Sequence, residues 1–445
     1  MTRSTRQPGP RHGDRGTLAG PAVWCATLAF SLSIAACTSN TQHPTSSSLP
    51  PTSAAHPTAT SASPRQPTKA PAPTRAVSNP AGLTDAQLVG QLFIGYVYGS
   101  SATTVTAAQG AANLALYGAT TGAEVVRRWH LGGIILFGRN DLDPARPDLA
   151  SGNVQGAAQI AALTAGLQRS AHADSGVRLL IGTDQEGGSV QRITDGVSWR
   201  PSELSVAQAG TAALLCSYHD LGRQLARLGV NQDYAPVADV VRAAGGVIGD
   251  RSFGPDPALD SRDVLAAVSG LQMAGVLATL KHWPGHGSTP IDSHAALPVL
   301  TETATQWRAT DLPPFQAAAT VAGSIMVGHL ALPALDPSGQ PATLSPVLVG
   351  KQLRQGLRYH GLVLTDSLWM APMLRSGTPG QVAIRAIQAG DDMLLMSPDL
   401  PAAYQAIVSK MERDRTFRAQ VRARVQDVLK AKAKVASPPR STGAC

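Results

Sequence analysis

Eight short apolar bursts recur along the chain, at residues 91–95, 133–137, 179–183, 230–234, 277–280, 324–327, 362–365 and 392–396. Runs this short, bounded by polar and Gly-rich stretches, are read as strands rather than helices, and mostly as strands buried on both faces. Between them, residues 155–171, 204–228, 262–273 and 382–388 repeat their apolar positions with a helical period. Strands that alternate with helices imply a parallel sheet covered by helices. Eight such units predict an α/β fold, a single (β/α)8 barrel of the TIM type over residues 81–436, closed by a helix or helix pair over 402–434. An open doubly wound sheet shares the alternation, but the chain carries no Gly-rich dinucleotide fingerprint, and the count of eight favours the barrel.

The residues before the barrel have a different character. Arg3, Arg6, Arg11 and Arg15 precede an apolar run over 22–36, shorter than the roughly 20 residues that a bilayer-crossing helix needs. Residues 1–36 therefore read as a secretory signal. The run ends in Ile34-Ala35-Ala36-Cys37, which resembles the lipobox of bacterial lipoproteins. Cleavage before Cys37 is expected to leave an acylated N-terminal cysteine, so that the protein is held on the membrane in the cell envelope, facing away from the cytoplasm. Residues 37–80 are dominated by Ser, Thr, Pro and Ala, and 38–79 contain no Phe, Trp, Tyr, Asp or Glu. Such a segment buries too little apolar surface to offset its chain entropy, and a disordered tether is expected there, with a disordered tail over 437–445.

The four cysteines are too few for a disulfide framework. Cys25 leaves with the signal and Cys37 carries lipid; whether Cys216 and Cys445 pair is open at this level. The net charge is +8, of which residues 1–36, with four Arg and one Asp, contribute +3. Basic residues are not interleaved with aromatics as on a nucleic-acid surface, so no nucleic-acid partner is expected, and an anionic wall or membrane face is a sufficient partner for the excess charge.

In a barrel of this kind the chemistry sits where the strands end. The third burst runs into Asp184-Gln185-Glu186-Gly187-Gly188, with Arg192 close behind. Arg251 follows the fourth, and the fifth continues as Lys281-His282-Trp283-Pro284-Gly285-His286-Gly287, then Asp292-Ser293-His294. The sixth gives Gly328-His329 and the seventh Thr365-Asp366-Ser367. Taken singly, Asp184 or Asp366 could cap a following helix, and Arg251 could be a solvated surface charge. Their convergence on one rim is what packing does not require, and it points to a concave polar site. Gly285, Gly287 and two prolines make 284–290 a candidate flap able to bring His294 over a bound molecule.

The long run from Lys281 to His294, with the Asp184 and Asp366 segments, resembles glycoside hydrolase family 3, in its bacterial β-N-acetylhexosaminidase branch, over about residues 88–398. The resemblance implies a retaining β-N-acetylglucosaminidase acting on terminal N-acetylglucosamine of peptidoglycan fragments in cell-wall turnover and recycling, without metal or cofactor, and as a monomer. It makes Asp366 the nucleophile, His294 the general acid/base and Asp292 its orienting partner; Asp184, Arg192, Arg251, Lys281 and His282 match sugar-holding positions. Ser189 stands where many members carry Arg, and Ser288 where an acidic residue is usual, which touches fine specificity more than activity.

A second carboxyl normally donates the proton to the leaving group. In relatives with a second domain that group comes from elsewhere in the chain; here a barrel loop is expected to supply it, and His294 beside Asp292 is suited to do so. Three alternatives stay open at this level: a saccharide-binding lipoprotein without catalysis, a phosphorylase that uses phosphate as acceptor, and a metal site built from His282, His286, His294 and His329.

Overall fold

The computed structural model describes residues 82–138, 152–436 and 445. The signal, Cys37, the tether and all of the tail except Cys445 lie outside the described residues. Each of the eight bursts coincides with a strand, the fifth running three residues past its burst: β1 Phe93–Gly95, β2 Gly133–Leu136, β3 Leu180–Thr183, β4 Gln232–Asp233, β5 Leu277–Trp283, β6 Ser324–Val327, β7 Leu362–Thr365 and β8 Leu394–Leu395. They pair in parallel in the order β8-β1-β2-β3-β4-β5-β6-β7. A parallel bridge from Leu364 on β7 to Met393 just before β8 brings the two edges together. The sheet is a nearly closed (β/α)8 barrel, as the alternation predicts.

Local sequence explains where the outer helices begin. Thr84, Thr106, Thr121, Thr303 and Thr378 each accept from the backbone N–H three residues on, where a Gln or Glu side chain answers the threonine's own N–H. Each such capping box stabilises a helix start by about 1 kcal/mol. Residues 204–228, expected as one helix, form two, Glu203–Ala207 and Thr211–Arg227. They part at Gly210, whose φ of +90° suits a residue without a Cβ. The closing element is a pair, Leu400–Arg413 and Arg415–Ala436, separated by Asp414 in an extended conformation.

Inside the barrel, Ile94, Leu180, Leu277, Leu362 and Leu395 form one buried cluster. Val428 and Ala431 of the helix Arg415–Ala436 join it, so this helix covers the end at which the strands begin. That leaves the other end, where the strands finish, as the open mouth. Cys216 and Cys445, whose pairing the sequence leaves open, form a disulfide. Among the described residues, no helix is long and apolar enough to cross a membrane.

Candidate active site

The mouth holds a cavity of about 630 Å³, within the size range of small-molecule sites. All eight side chains singled out from the sequence for catalysis or sugar binding line it: Asp184, Arg192, Arg251, Lys281, His282, Asp292, His294 and Asp366. The fold brings them there from four strand ends. Asp184 follows β3, and a small antiparallel hairpin, Gln185–Gly187 with Val190–Gln191, turns the chain back to Arg192. A 3-10 turn, Gly249–Arg251, in the loop beyond β4 delivers Arg251. Lys281 and His282 lie on β5 itself, and Asp366 follows β7 directly.

One wall is a bed of paired charges. Arg251 grips Glu186 with two nitrogens, Nε to Oε2 at 2.7 Å and a terminal nitrogen to Oε1 at 2.8 Å. Lys281 Nζ lies 2.6 Å from Glu186 Oε1 and 2.9 Å from Asp184 Oδ1. Arg192 approaches Asp184 at 3.8 Å and stacks its guanidinium on Phe137, 4.8 Å from the ring centre. Burial opposes ionisation of Glu186, but Lys281 and Arg251 outweigh it and hold the carboxyl well below its ordinary range. Burial likewise works against the Lys281 ammonium, and Asp184 and Glu186 more than compensate. Glu186, Arg251 and Lys281 are therefore held in their charged forms, and the two cations are donors suited to hydroxyl or amide oxygens of a ligand.

Behind His282 stands Asp239, fully buried. Its Oδ2 is 2.7 Å from His282 Nδ1, and its Oδ1 accepts from the backbone N–H groups of His282 and His286. Burial would raise the Asp239 pKa; the two histidines and these N–H groups bring it below the ordinary value. An ionised Asp239 accepts from Nδ1 and so turns Nε2 of His282 toward the cavity.

Asp366 sits at the cavity floor. Its N–H donates to Val327 O at 2.9 Å, and its Oδ1 accepts from Ser367 N–H at 2.7 Å. The next helix, Ala371–Leu374, starts from Met370 without a side-chain cap, so Asp366 is not spent on capping. Burial disfavours the carboxylate, but His329, His282, the Ser367 N–H and His294 together hold the pKa below the ordinary value. His329, fully buried, fixes this turn: its Nε2 donates to Ser367 O at 2.9 Å, and its Nδ1 lies 2.7 Å from Thr343 Oγ1.

Opposite, the β5 loop carries the Asp292–His294 pair. Nδ1 of His294 is 2.6 Å from Asp292 Oδ1, which also accepts the His294 N–H at 2.9 Å. Burial acts first on Asp292, to raise it, yet the bonds to His294 keep it below the ordinary carboxylate range. It therefore stays an acceptor, and the ring presents Nε2. The loop's stem is firmly seated. Gly285, at φ +123°, passes so close over Asp311 that a Cβ would lie 2.8 Å from it. Gly287 O accepts from the Arg242 and Ala243 N–H groups at 2.8 and 3.0 Å. Below, Trp283 packs edge-on against Trp307 and Phe315, with centroids 5.7 and 5.2 Å away.

The histidines considered as metal ligands are separately engaged. His282 uses Nδ1 on Asp239, His286 uses Nε2 on Ser293 and His329 holds Ser367 O. Among the described residues, no group of three or more His, Cys, Asp or Glu is arranged to hold a metal ion.

A barrel whose mouth joins a half-buried carboxylate, a carboxylate-backed imidazole and a bed of oriented cations defines a class: α/β-barrel proteins with a polar, small-molecule-sized site. Within that class, the chain belongs to glycosyl hydrolase family 3, the N-terminal domain of which matches residues 109–431. Beta-hexosaminidase A of Pseudoalteromonas piscicida is 34% identical over 300 residues, covering 62% of this chain and 47% of that protein. The Beta-hexosaminidase of Idiomarina loihiensis is 37% identical over 246 residues, covering 54% and 74%. Among solved structures, a glycoside hydrolase family 3 β-N-acetylglucosaminidase from Paenibacillus superposes with a TM-score of 0.70 at 33% identity, covering 81% of this chain and 65% of the other. A β-N-acetylhexosaminidase from Beutenbergia cavernae gives 0.68 at 30% identity, covering 79% and 99%. The chain thus spans less than two thirds of the Pseudoalteromonas and Paenibacillus proteins.

Proposed function

We propose that the protein is a retaining β-N-acetylglucosaminidase that releases terminal, non-reducing N-acetylglucosamine from peptidoglycan fragments. The observation that carries this reading is the meeting, in one cavity, of the Asp366 carboxylate, the Asp292–His294 pair and the Asp184–Glu186–Arg251–Lys281 bed. The names of the relatives, hexosaminidases and a β-N-acetylglucosaminidase, favour an N-acetylhexosamine over other sugars.

The bed and His282 hold the sugar by its hydroxyls and N-acetyl group. A carboxylate oxygen of Asp366 attacks the anomeric carbon, and the bond from that carbon to the leaving oxygen breaks. Protonated His294 gives its Nε2 proton to that oxygen, and Asp292 stabilises the imidazolium beforehand. The ring is then neutral. It takes a proton from an incoming water, whose oxygen displaces Asp366 from the anomeric carbon, and both residues return to their starting states. Phosphate as acceptor is a second reading, favoured by one feature: a neutral imidazole does not repel an anion as a carboxylate acid/base would. Phosphorus NMR of the products separates the two acceptors.

Export and anchoring through Cys37 belong to the same reading, because envelope sugars lie outside the cytoplasm. Cys37→Ala should shift the protein out of the membrane fraction. The activity itself is tested with defined muropeptides and mass analysis: release of one N-acetylhexosamine from the non-reducing end is expected, and release of disaccharides or of nothing overturns the proposal.

A further inference from the structure

The face opposite the mouth carries charge that the chemistry does not use. The helix Arg415–Ala436 contains seven Lys or Arg and one acidic residue, Asp427. Two of the cations turn inward: Arg424 holds Gly390 O and Asp392 just before β8, and buried Lys432 donates to Gln91 just before β1. These anchors, with Val428 and Ala431 packed among the strand starts, lay the helix across that end of the barrel. The remaining five, Arg415, Arg418, Arg422, Lys430 and Lys434, are exposed. Arg178 and Arg358, in the turns that lead into β3 and β7, are exposed at the same end.

Helix-dipole compensation does not account for this pattern. A cation is favoured in the last turn of a helix, as Lys434 is, but Arg415 and Arg418 occupy the first turn and its border, where the dipole opposes them. Arg418 and Arg422 do pair with Asp85, at the start of the first described helix. That pairing places Asp85, close to the first described residue, at this same cationic face.

We propose that this strand-start face docks the domain on an anionic phospholipid surface, leaving the sugar-binding mouth directed away from the membrane. The helix is about 33 Å long, and its charges lie along one broad face rather than in a groove that would track a single polymer strand. None of its exposed positions is aromatic, so a stacking platform for nucleic-acid bases is not formed. Clustered Lys and Arg exposed along one helix are the pattern that anionic headgroups attract. The inference rests on the charges and holds whether or not Cys37 carries lipid.

The test is vesicle co-sedimentation of the full chain, with phosphatidylcholine alone or with about a third phosphatidylglycerol added. Wild type is expected to bind the anionic vesicles at least about tenfold more tightly at low salt, and to lose that excess at roughly 1 M salt, where screening acts within about 3 Å. A variant combining Arg415→Gln, Arg422→Gln, Lys430→Gln and Lys434→Gln should lose the excess while its aryl N-acetylglucosaminide turnover and circular dichroism stay as in wild type. Equal binding to both vesicle types, or an excess kept by the variant, overturns the proposal. So does variant-sensitive binding to a soluble polyanion without any preference for anionic vesicles, which would make the partner a polymer. Because the readout is binding, its failure leaves the proposed hydrolysis untouched.

Discussion

Lys281 and Glu186 are 3% and 1% exposed, whereas His294 and Asp292, across the same cavity, are 68% and 45% exposed. The bed draws its side chains from β5, from the hairpin after β3 and from a 3-10 turn in the loop after β4, and it pairs its charges against one another. Such a set costs desolvation, which only close pairing offsets; in return it meets a ligand without reorganising. The Asp292–His294 pair is a two-residue unit on a loop, bonded internally and open to solvent. A group that gives and then regains a proton has to stay within reach of the leaving group and of water. On the proposed reading, recognition is built into the buried floor, and proton transfer is hung on an exposed loop.

The largest effect is expected at the floor where the two regions meet. Asp366→Asn should fold normally and lose on the order of 10⁴-fold or more in kcat, as removal of a covalent nucleophile does; steady-state turnover of an aryl N-acetylglucosaminide measures it. His294→Ala comes next, at about 10² to 10⁴-fold in kcat with Tm unchanged, since the ring is exposed and bonded only within its own loop. A drop in Tm for this variant would break the contrast between region and region. Lys281→Ala should behave in the opposite manner. It should lower kcat/KM by about 10²-fold and also destabilise the fold by about 3–5 kcal/mol, because it strips a partner from buried Glu186; denaturant unfolding checks the second part.

The smallest effect concerns what seats the flap. Arg242, whose N–H holds Gly287 O, reaches Glu302 at 2.8 Å and Asp311 at 2.7 Å. Burial and the neighbouring Asp311 charge push the Glu302 carboxyl up to about 8, against the pull of Arg242. Between about 4.5 and about 8 the folded protein therefore retains a proton that the unfolded chain releases. The stability contributed by this group is complete below that window and declines as pH rises through it. Glu302→Gln should flatten the decline of Tm over the window while leaving kcat near wild type. Amide exchange at Arg242 and Ala243 reports whether the flap stem loosens with it.

Much of this layout was legible before the structure. Four- and five-residue apolar bursts at regular intervals point to buried strands, so the barrel and its polar rim followed from spacing, while the choice of eight rim residues for catalysis and sugar binding came from the resemblance to family 3 glycoside hydrolases. The hairpin at 185–191 was not visible, because strands of three and two residues leave no periodic pattern. The helices Ala107–Tyr117 and Gly122–Trp129 were also missed; the first is rich in Ala on all sides and shows little face preference. Glu186 stood in a quoted motif without a role, since its partners Arg251 and Lys281 are 65 and 95 residues away in sequence. Asp239 went unnoticed in Ala235-Pro236-Val237-Ala238-Asp239, although a carboxylate just past a strand end was the signal that found Asp366.

The central claim is that Asp366 forms the covalent bond while His294, from the exposed loop, serves the leaving oxygen. The direct measurement is to incubate the protein with a slowly turned-over, fluorinated aryl N-acetylglucosaminide and map the labelled peptide by mass spectrometry. The account predicts one sugar adduct, on the peptide that contains Asp366, formed by wild type and not by Asp366→Asn. Turnover without any adduct, or an adduct on another carboxylate, would contradict it.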